Sequence, residues 1–225
     1  MTWLMNGLNQ TQLTSPFQWT ISTVNPSRLF FGLFMYCGEI ELSKENVFVF
    51  LVASVRFKIE NLEKLCVDII MTTLNWENVS NYMNSAVQFK SELLREKCFG
   101  VFSAQTATVT QSPNFLKLSQ PALSAFLDAE ILNVPEIQLF RSMQQWMESK
   151  CQDQGLATSG ENMREVIGDA VFKMRFPTMT VQDFANSVST IEGLLTDLEK
   201  LQIFQMITVT DKAKVECPFS NKPRV

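Results

Sequence analysis

The chain has 225 residues, 46% of them apolar, with 23 acidic against 19 basic side chains and a net charge of −4. That length allows one large or two small domains with a sizeable core. The Lys and Arg are outnumbered and scattered, which excludes a nucleic-acid binder working through a basic patch. Histidine is absent, which removes the commonest general base and the usual metal ligand.

The five cysteines stand at positions 37, 66, 98, 151 and 217. None forms a Cys-x-x-Cys pair, so no zinc site is expected. They read as reduced, mostly core thiols of a cytoplasmic protein. The longest uncharged apolar runs, Leu29 to Cys37 and Val47 to Val55, fall far short of the roughly 20 residues of a membrane span. Without histidine, a Ser-His-Asp or Cys-His centre is impossible. The eight glycines form no phosphate-cradling loop. No catalytic, cofactor, metal or small-molecule site is expected, and the chain does not read as an enzyme. Glu39, Glu41, Glu60, Glu63 and Asp68 read as solvated acids. Most methionines, Met83, Met143, Met163 and Met174 among them, fall on apolar stripes and read as core filler.

Residues 1–27 carry no charged side chain and no clear period, and weak or irregular structure is expected there. They lack the basic and apolar regions of a signal peptide. A short helix follows over roughly Arg28 to Tyr36. Tyr36 to Leu42 alternates like a strand, with Ile40 and Leu42 on one side. It has no convincing partner strand in the chain. Ser43 is the expected N-cap of a helix over Val47 to Phe57, with Glu45 in its first turn. That helix is apolar nearly all round, so burial among other helices is expected.

Helical stripes then succeed one another. Glu60 to Leu74 puts Leu62, Leu65, Cys66, Ile69 and Thr73 on one face. Val79, Tyr82, Met83, Ala86 and Val87 make the next stripe, then Leu94, Cys98, Val101 and Phe102, with a turn at Lys90-Ser91. A second half opens near Ser112-Pro113. Ser119, with Pro121 in the first turn, starts a helix holding Leu123, Phe126 and Leu127. Pro135 starts a longer one with Leu139, Phe140, Met143, Trp146 and Met147 inward. Gln152 to Gly160 reads as a polar loop, and Met163, Val166, Ile167, Ala170, Val171 and Met174 as one more helical stripe that Phe176-Pro177 stops. Thr180 with Asp183, and Thr196 with Glu199, look like capping boxes. Residues 211–225 read as a polar, frayed tail. The fold class is all-α, an array of antiparallel helix pairs.

Several of these segments resemble one family in order and spacing. Tyr36-Cys37-Gly38-Glu39-Ile40-Glu41-Leu42, Ala53-Ser54-Val55-Arg56-Phe57 and Leu62-Glu63-Lys64-Leu65-Cys66 resemble the closing third of a BTB/POZ domain. Asn78 to Ala104 is similar to the helix pair called the 3-box. Phe140-x-Ser142-x-x-x-Trp146 is similar to a pattern of BACK domains. Met174 to Thr180, Asp183 to Asn186, Cys151 to Leu156 and Thr208 to Lys212 resemble a subgroup that carries a carboxy-terminal β-sandwich, the PHR domain. The resemblance implies a remnant of BTB/POZ at 28–74 and a BACK domain at 75–210, with the 3-box at 78–108. Most of the BTB domain and the PHR domain have no counterpart in the chain.

The resemblance also implies a function, that of a substrate adaptor in a cullin-3 RING ubiquitin ligase, with the cullin-3 amino-terminal domain as its partner and other BTB proteins as further candidates. Its alternative is a non-ligase interaction protein or decoy. The partner-binding residues it implies are Tyr36, Phe57 and Lys58, with Asn81, Asn84 and Phe89 on the solvent side of the 3-box helix.

Overall fold

The computed structural model describes residues 42–43, 46–209 and 216–224. Among them are helices and turns with no strand, apart from one isolated bridge between Glu192 and Leu195. The helix expected near Arg28 and the strand expected to run from Tyr36 lie outside the described residues, but for Leu42 at its end. Helix α1 spans Val47–Phe57, α2 Glu60–Met71, α3 Val79–Phe89, α4 Glu92–Ala104, α5 Thr106–Thr110 and α6 Gln120–Leu127. Then come α7 Glu136–Asp153, α8 Gly160–Ile167, α9 Val181–Asp183 and α10 Asp197–Thr208. Short 3-10 turns occupy Phe115–Lys117, Gly168–Lys173 and Phe176–Thr178, and α9 runs on as one π-turn, Phe184–Val188.

Helices α1–α2 and α3–α4 are two copies of one hairpin. Asn46 and Asn78 precede them with nearly the same backbone, φ −104°, ψ −11° and φ −110°, ψ −9°. In each copy the Asn Oδ1 accepts a hydrogen bond at 2.8 Å from the backbone N–H three residues earlier, Ser43 or Asn75. Ser43 is therefore not the N-cap of α1. Its N–H donates to Asn46 instead, because an Asn side chain three residues on can close that turn. The first helix of each copy ends in a lysine with left-handed backbone, Lys58 (φ 57°) and Lys90 (φ 59°). Beyond each lysine the next N–H reaches back to close the turn, Ile59 to Ser54 O at 2.9 Å and Ser91 to Ala86 O at 3.0 Å. This is the Schellman arrangement, with lysine where glycine is usual, at a cost of roughly 1–2 kcal/mol each. The buried positions match at the same offset: Val47 with Val79, Leu62 with Leu94, Cys66 with Cys98, Ile70 with Phe102.

Burial within the first hairpin departs from its sequence in two places. Helix α1 is fully enclosed only along Val47, Phe50, Leu51 and Ser54, while Phe48, Val49, Val52, Ala53 and Val55 are half-buried. On α2 the inward stripe is Leu62, Cys66, Val67 and Ile70, and Leu65 is 54% exposed. Val67 and Ile70 are more apolar than Leu65 and Thr73 as a pair, and the helix rotates to bury them.

The second half packs around aromatic side chains. Trp146 donates from Nε1 to Leu118 O at 2.9 Å, fully buried. Phe102, Phe126 and Phe115 pack in sequence, with centroids 4.8 and 5.4 Å apart. A further chain of rings runs from Phe140 through Phe176 to Phe184 and Phe204. The stripe Met163 to Met174 is inward-facing but is not one helix. Gly168 has φ 57°, so α8 stops at Ile167 and a 3-10 turn carries the rest. Ser119 and Thr196 cap as expected, and Thr196 with Glu199 makes a full capping box. Thr180 makes only half of one. Its hydroxyl accepts from Asp183 N at 3.0 Å and donates to Asp183 Oδ2 at 2.8 Å, since the shorter Asp side chain meets the hydroxyl first.

The tail is not frayed where it is described. Phe219 is 2% exposed and packs against Phe172 and Phe176, with centroids 5.5 and 5.2 Å away. Its polar composition hides two buried anchors, Phe219 and Arg224.

Two tests follow from this packing. A Cβ on Gly160 would lie 2.0 Å from Glu192 O and 2.7 Å from Leu194 N, both backbone atoms. Gly160→Ala should therefore destabilise the chain by about 3 kcal/mol in urea unfolding, at the upper end of overpacking costs. Burial pushes the thiols of Cys66 and Cys98 up to about 12 from 9.0. Their stabilising contribution is complete below about pH 9 and is lost as pH rises, because only the unfolded chain then releases the protons. Between about pH 9 and 10 each thiol should remove about 1 kcal/mol, and Cys98→Ala should flatten that slope.

Candidate interaction surface

The duplicated hairpin sets two helix corners side by side. Phe57-Lys58 closes α1 and Phe89-Lys90 closes α3, each followed two residues later by an acid, Glu60 and Glu92. Ser91 Oγ donates to Glu63 Oε1 at 2.7 Å, which ties the second corner to the first turns of α2. Between them lies a shallow cleft of roughly 300 Å³ lined by Glu60, Glu63, Lys64, Lys90, Glu92 and Leu93. Acids and lysines alternate around it, so it suits charged, hydrogen-bonding side chains of a partner better than an apolar ligand.

Phe57 is 56% exposed, and Lys58 beside it is exposed. A large apolar side chain held at a corner next to a cation is the composition of an interface anchor. Asn81 is exposed on α3, and Phe89 is half-buried at its end. Tyr36 lies outside the described residues. Phe57, Lys58 and Phe89 thus fall at neighbouring corners, and Asn81 sits two turns back along α3.

Asn84 makes two bonds within the chain. Its Nδ2 donates to Lys117 O at 3.0 Å and its Oδ1 accepts from Ser119 N at 2.8 Å. The side chain thereby joins α3 to the start of α6 and fixes the hairpin against the second half. Nearby, Phe48 stacks on Tyr82 at 5.6 Å, and the Tyr82 hydroxyl lies 3.1 Å from Thr73 Oγ1. These contacts hold α1, α2 and α3 as one block. Asn78 at the start of α3 belongs to the same block, its Nδ2 donating to Thr73 O at 2.7 Å.

Sequence reasoning missed the duplication and the residues it pairs. The signal was present as Phe57-Lys58-x-Glu60 and Phe89-Lys90-x-Glu92, each with a leucine and a cysteine following at the same spacing. Among the described residues no cluster of Cys, Asp and Glu could hold a metal, and no helix is long and apolar enough to cross a membrane.

Residues 79–189 match the family model described as BACK, "BTB And C-terminal Kelch". BTB/POZ domain-containing protein 3 of Mus musculus is 33% identical over 191 residues, covering 85% of this chain and 36% of the relative. The Homo sapiens protein of that name gives the same figures. BTB/POZ domain-containing protein 6 of Homo sapiens is 30% identical over 189 residues, covering 84% of this chain and 35% of the relative. The chain spans about a third of the length of these relatives.

Asn84→Ala removes both bonds that join the block to the second half and leaves the Ser119 N–H and Lys117 carbonyl without that partner. A loss of roughly 1–3 kcal/mol in denaturant unfolding, with helical content unchanged, is the expected result.

Proposed function

We propose that this chain, a member of the BTB/POZ–BACK family, is an adaptor arm of a cullin-3 RING ubiquitin ligase, without catalysis of its own. The observation that carries this reading is the pair of neighbouring Phe-Lys corners at one end of a stacked helical block. Phe57 supplies apolar area, Lys58 and Lys90 supply charge, and Asn81 and Phe89 extend the face along α3. Asn84 acts behind it as a positioning residue. Lysine in the left-handed position at both corners supports a surface role, since glycine would fit the backbone at lower cost. Stiffness suits an adaptor, which must hold a partner at fixed distance and angle. The joint through Asn84 and the ring clusters of the second half provide that stiffness.

Titration calorimetry of the purified chain against the cullin-3 amino-terminal domain tests the reading. Binding is expected, and Phe57→Ala should weaken it about thirtyfold, the equivalent of some 2 kcal/mol for one buried aromatic. Lys58→Ala should weaken it less and reduce its dependence on salt. A folded chain that does not bind, or binds equally well as Phe57→Ala, overturns the assignment of this face. A folded chain that fails to bind cullin-3 and still binds full-length BTB/POZ–BACK proteins would favour the decoy reading.

A further inference from the structure

The segment 216–224 is held in a way unlike the rest of the chain. Pro218, Ser220, Asn221, Lys222 and Pro223 are exposed, and two side chains go inward, Phe219 and Arg224. Among the described residues no backbone-to-backbone hydrogen bond joins this segment to the helices. Its main chain is gripped instead by Arg175, whose Nη1 donates to Lys222 O at 3.1 Å and Pro223 O at 3.0 Å. A segment without regular structure, fixed by two side-chain anchors and one clamping arginine, has the form of a peptide in a groove.

The groove is complete for a guanidinium. The Arg224 side chain is 2% exposed and that of Glu136 5%. Arg224 Nε donates to Glu136 Oε2 at 3.2 Å, Nη1 to Leu127 O at 2.8 Å and to Ala129 O, and Nη2 to Lys173 O at 2.9 Å. The other Glu136 oxygen accepts from Arg175 N at 2.7 Å. Burial pulls the Arg224 guanidinium below its usual range and the Glu136 carboxylate opposes that pull. The acceptors lie around a planar fork: three carbonyls and one carboxylate oxygen, converging from α6, the start of α7 and the 3-10 turn Gly168–Lys173. A lysine ammonium has three donors at one point and cannot span them. Five positions before the arginine, Phe219 fills the slot beside Phe172 and Phe176.

We propose that this groove is a peptide-recognition site for a segment without regular structure that carries a Phe and, five positions on, an Arg, and that residues 216–224 occupy it in cis as a displaceable strap. A segment of the same chemistry from another chain takes the groove when the strap is out. The residues that hold Phe219 and Arg224 are not those of the Phe-Lys corners, and the inference does not rest on the cullin reading.

The probe is a fluorescent peptide of residues 216–225, added to the full chain and followed by anisotropy. Wild-type chain should bind it at least tenfold more weakly than Phe219→Ala/Arg224→Ala, whose own strap no longer competes. A peptide with Lys in place of its Arg should lose at least tenfold on the double variant. Arg224→Lys alone keeps charge and stem and serves as a gentler release; it should bind the peptide more tightly than wild type. The proposal is overturned if the peptide fails to bind a double variant that melts cooperatively, if wild type binds as well as the variants, or if the Lys peptide binds equally. Should the double variant not fold, Arg224→Lys decides alone, and affinity no higher than that of wild type overturns the proposal.

Discussion

Every helix in a stack of short helices brings unsatisfied N–H groups at one end and unsatisfied carbonyls at the other. Helices of eight to eighteen residues make up most of this array, so a large share of its backbone is helix end. The chain meets that demand at many junctions with a specific side chain. Asn78, Ser91, Ser119, Ser159, Thr180 and Thr196 serve N-termini or the turns before them. At the far ends, Lys58 and Lys90 turn the backbone so that the following N–H groups close on the last carbonyls. These junctions set the angles between helices, and the angles set which side chains meet.

The same junctions link segments far apart in the chain. Asn84 serves the carbonyl of Lys117 at the end of a 3-10 turn and the N–H of the residue that caps α6. Glu136, in the first turn of α7, serves the N–H of Arg175 and the guanidinium of Arg224. Arg164 reaches from α8 to Glu199 at 2.9 Å and to Leu194 O at 3.2 Å, with its guanidinium 4.8 Å above the Phe172 ring. Each is a long-range polar link placed where a helix begins or ends. Apolar packing is non-directional, so on its own it fixes the position of one helix against another less sharply than directed hydrogen bonds do. Hydrogen bonds at the ends limit such shifts.

The helical periods were legible because each places four or five apolar side chains in register. Leu139, Phe140, Met143, Trp146 and Met147 are all buried as their spacing implies. Ser119 with Pro121 and Thr196 with Glu199 were legible because their chemistry is local. The exposure of Leu65 was not, since two overlapping stripes on α2 compete and only the neighbouring helices decide between them. Gly168 gave no warning that the Met163 stripe changes its winding midway, as apolar spacing reads alike through an α-to-3-10 change. Of the residues the family resemblance singles out, Phe57 and Lys58 sit at an exposed corner. Asn84 looks on sequence like another solvent-facing polar residue of α3, and only the return of residues 117–119 to α3 shows what its amide does. The tail was the least legible part. Two anchors five residues apart fit neither the helical nor the strand period.

Glu136 shows why that tail belongs to the array. A carboxylate taken out of water at the base of a core helix is costly unless a cation and further donors meet it. The helix terminus and the Arg175 N–H offset part of that cost, since an anion at an N-terminus is favoured by the backbone dipoles. Arg224 supplies the countercharge and in turn fills three carbonyls that end α6 and the turn after α8. Without the strap, one buried acid and three carbonyls must be served by water. Opening is therefore costly but chemically feasible, because the site faces the surface along the exposed residues 220–223. A groove whose polar groups demand a guanidinium and whose cover is held by two side chains is stable when filled and selective about what fills it.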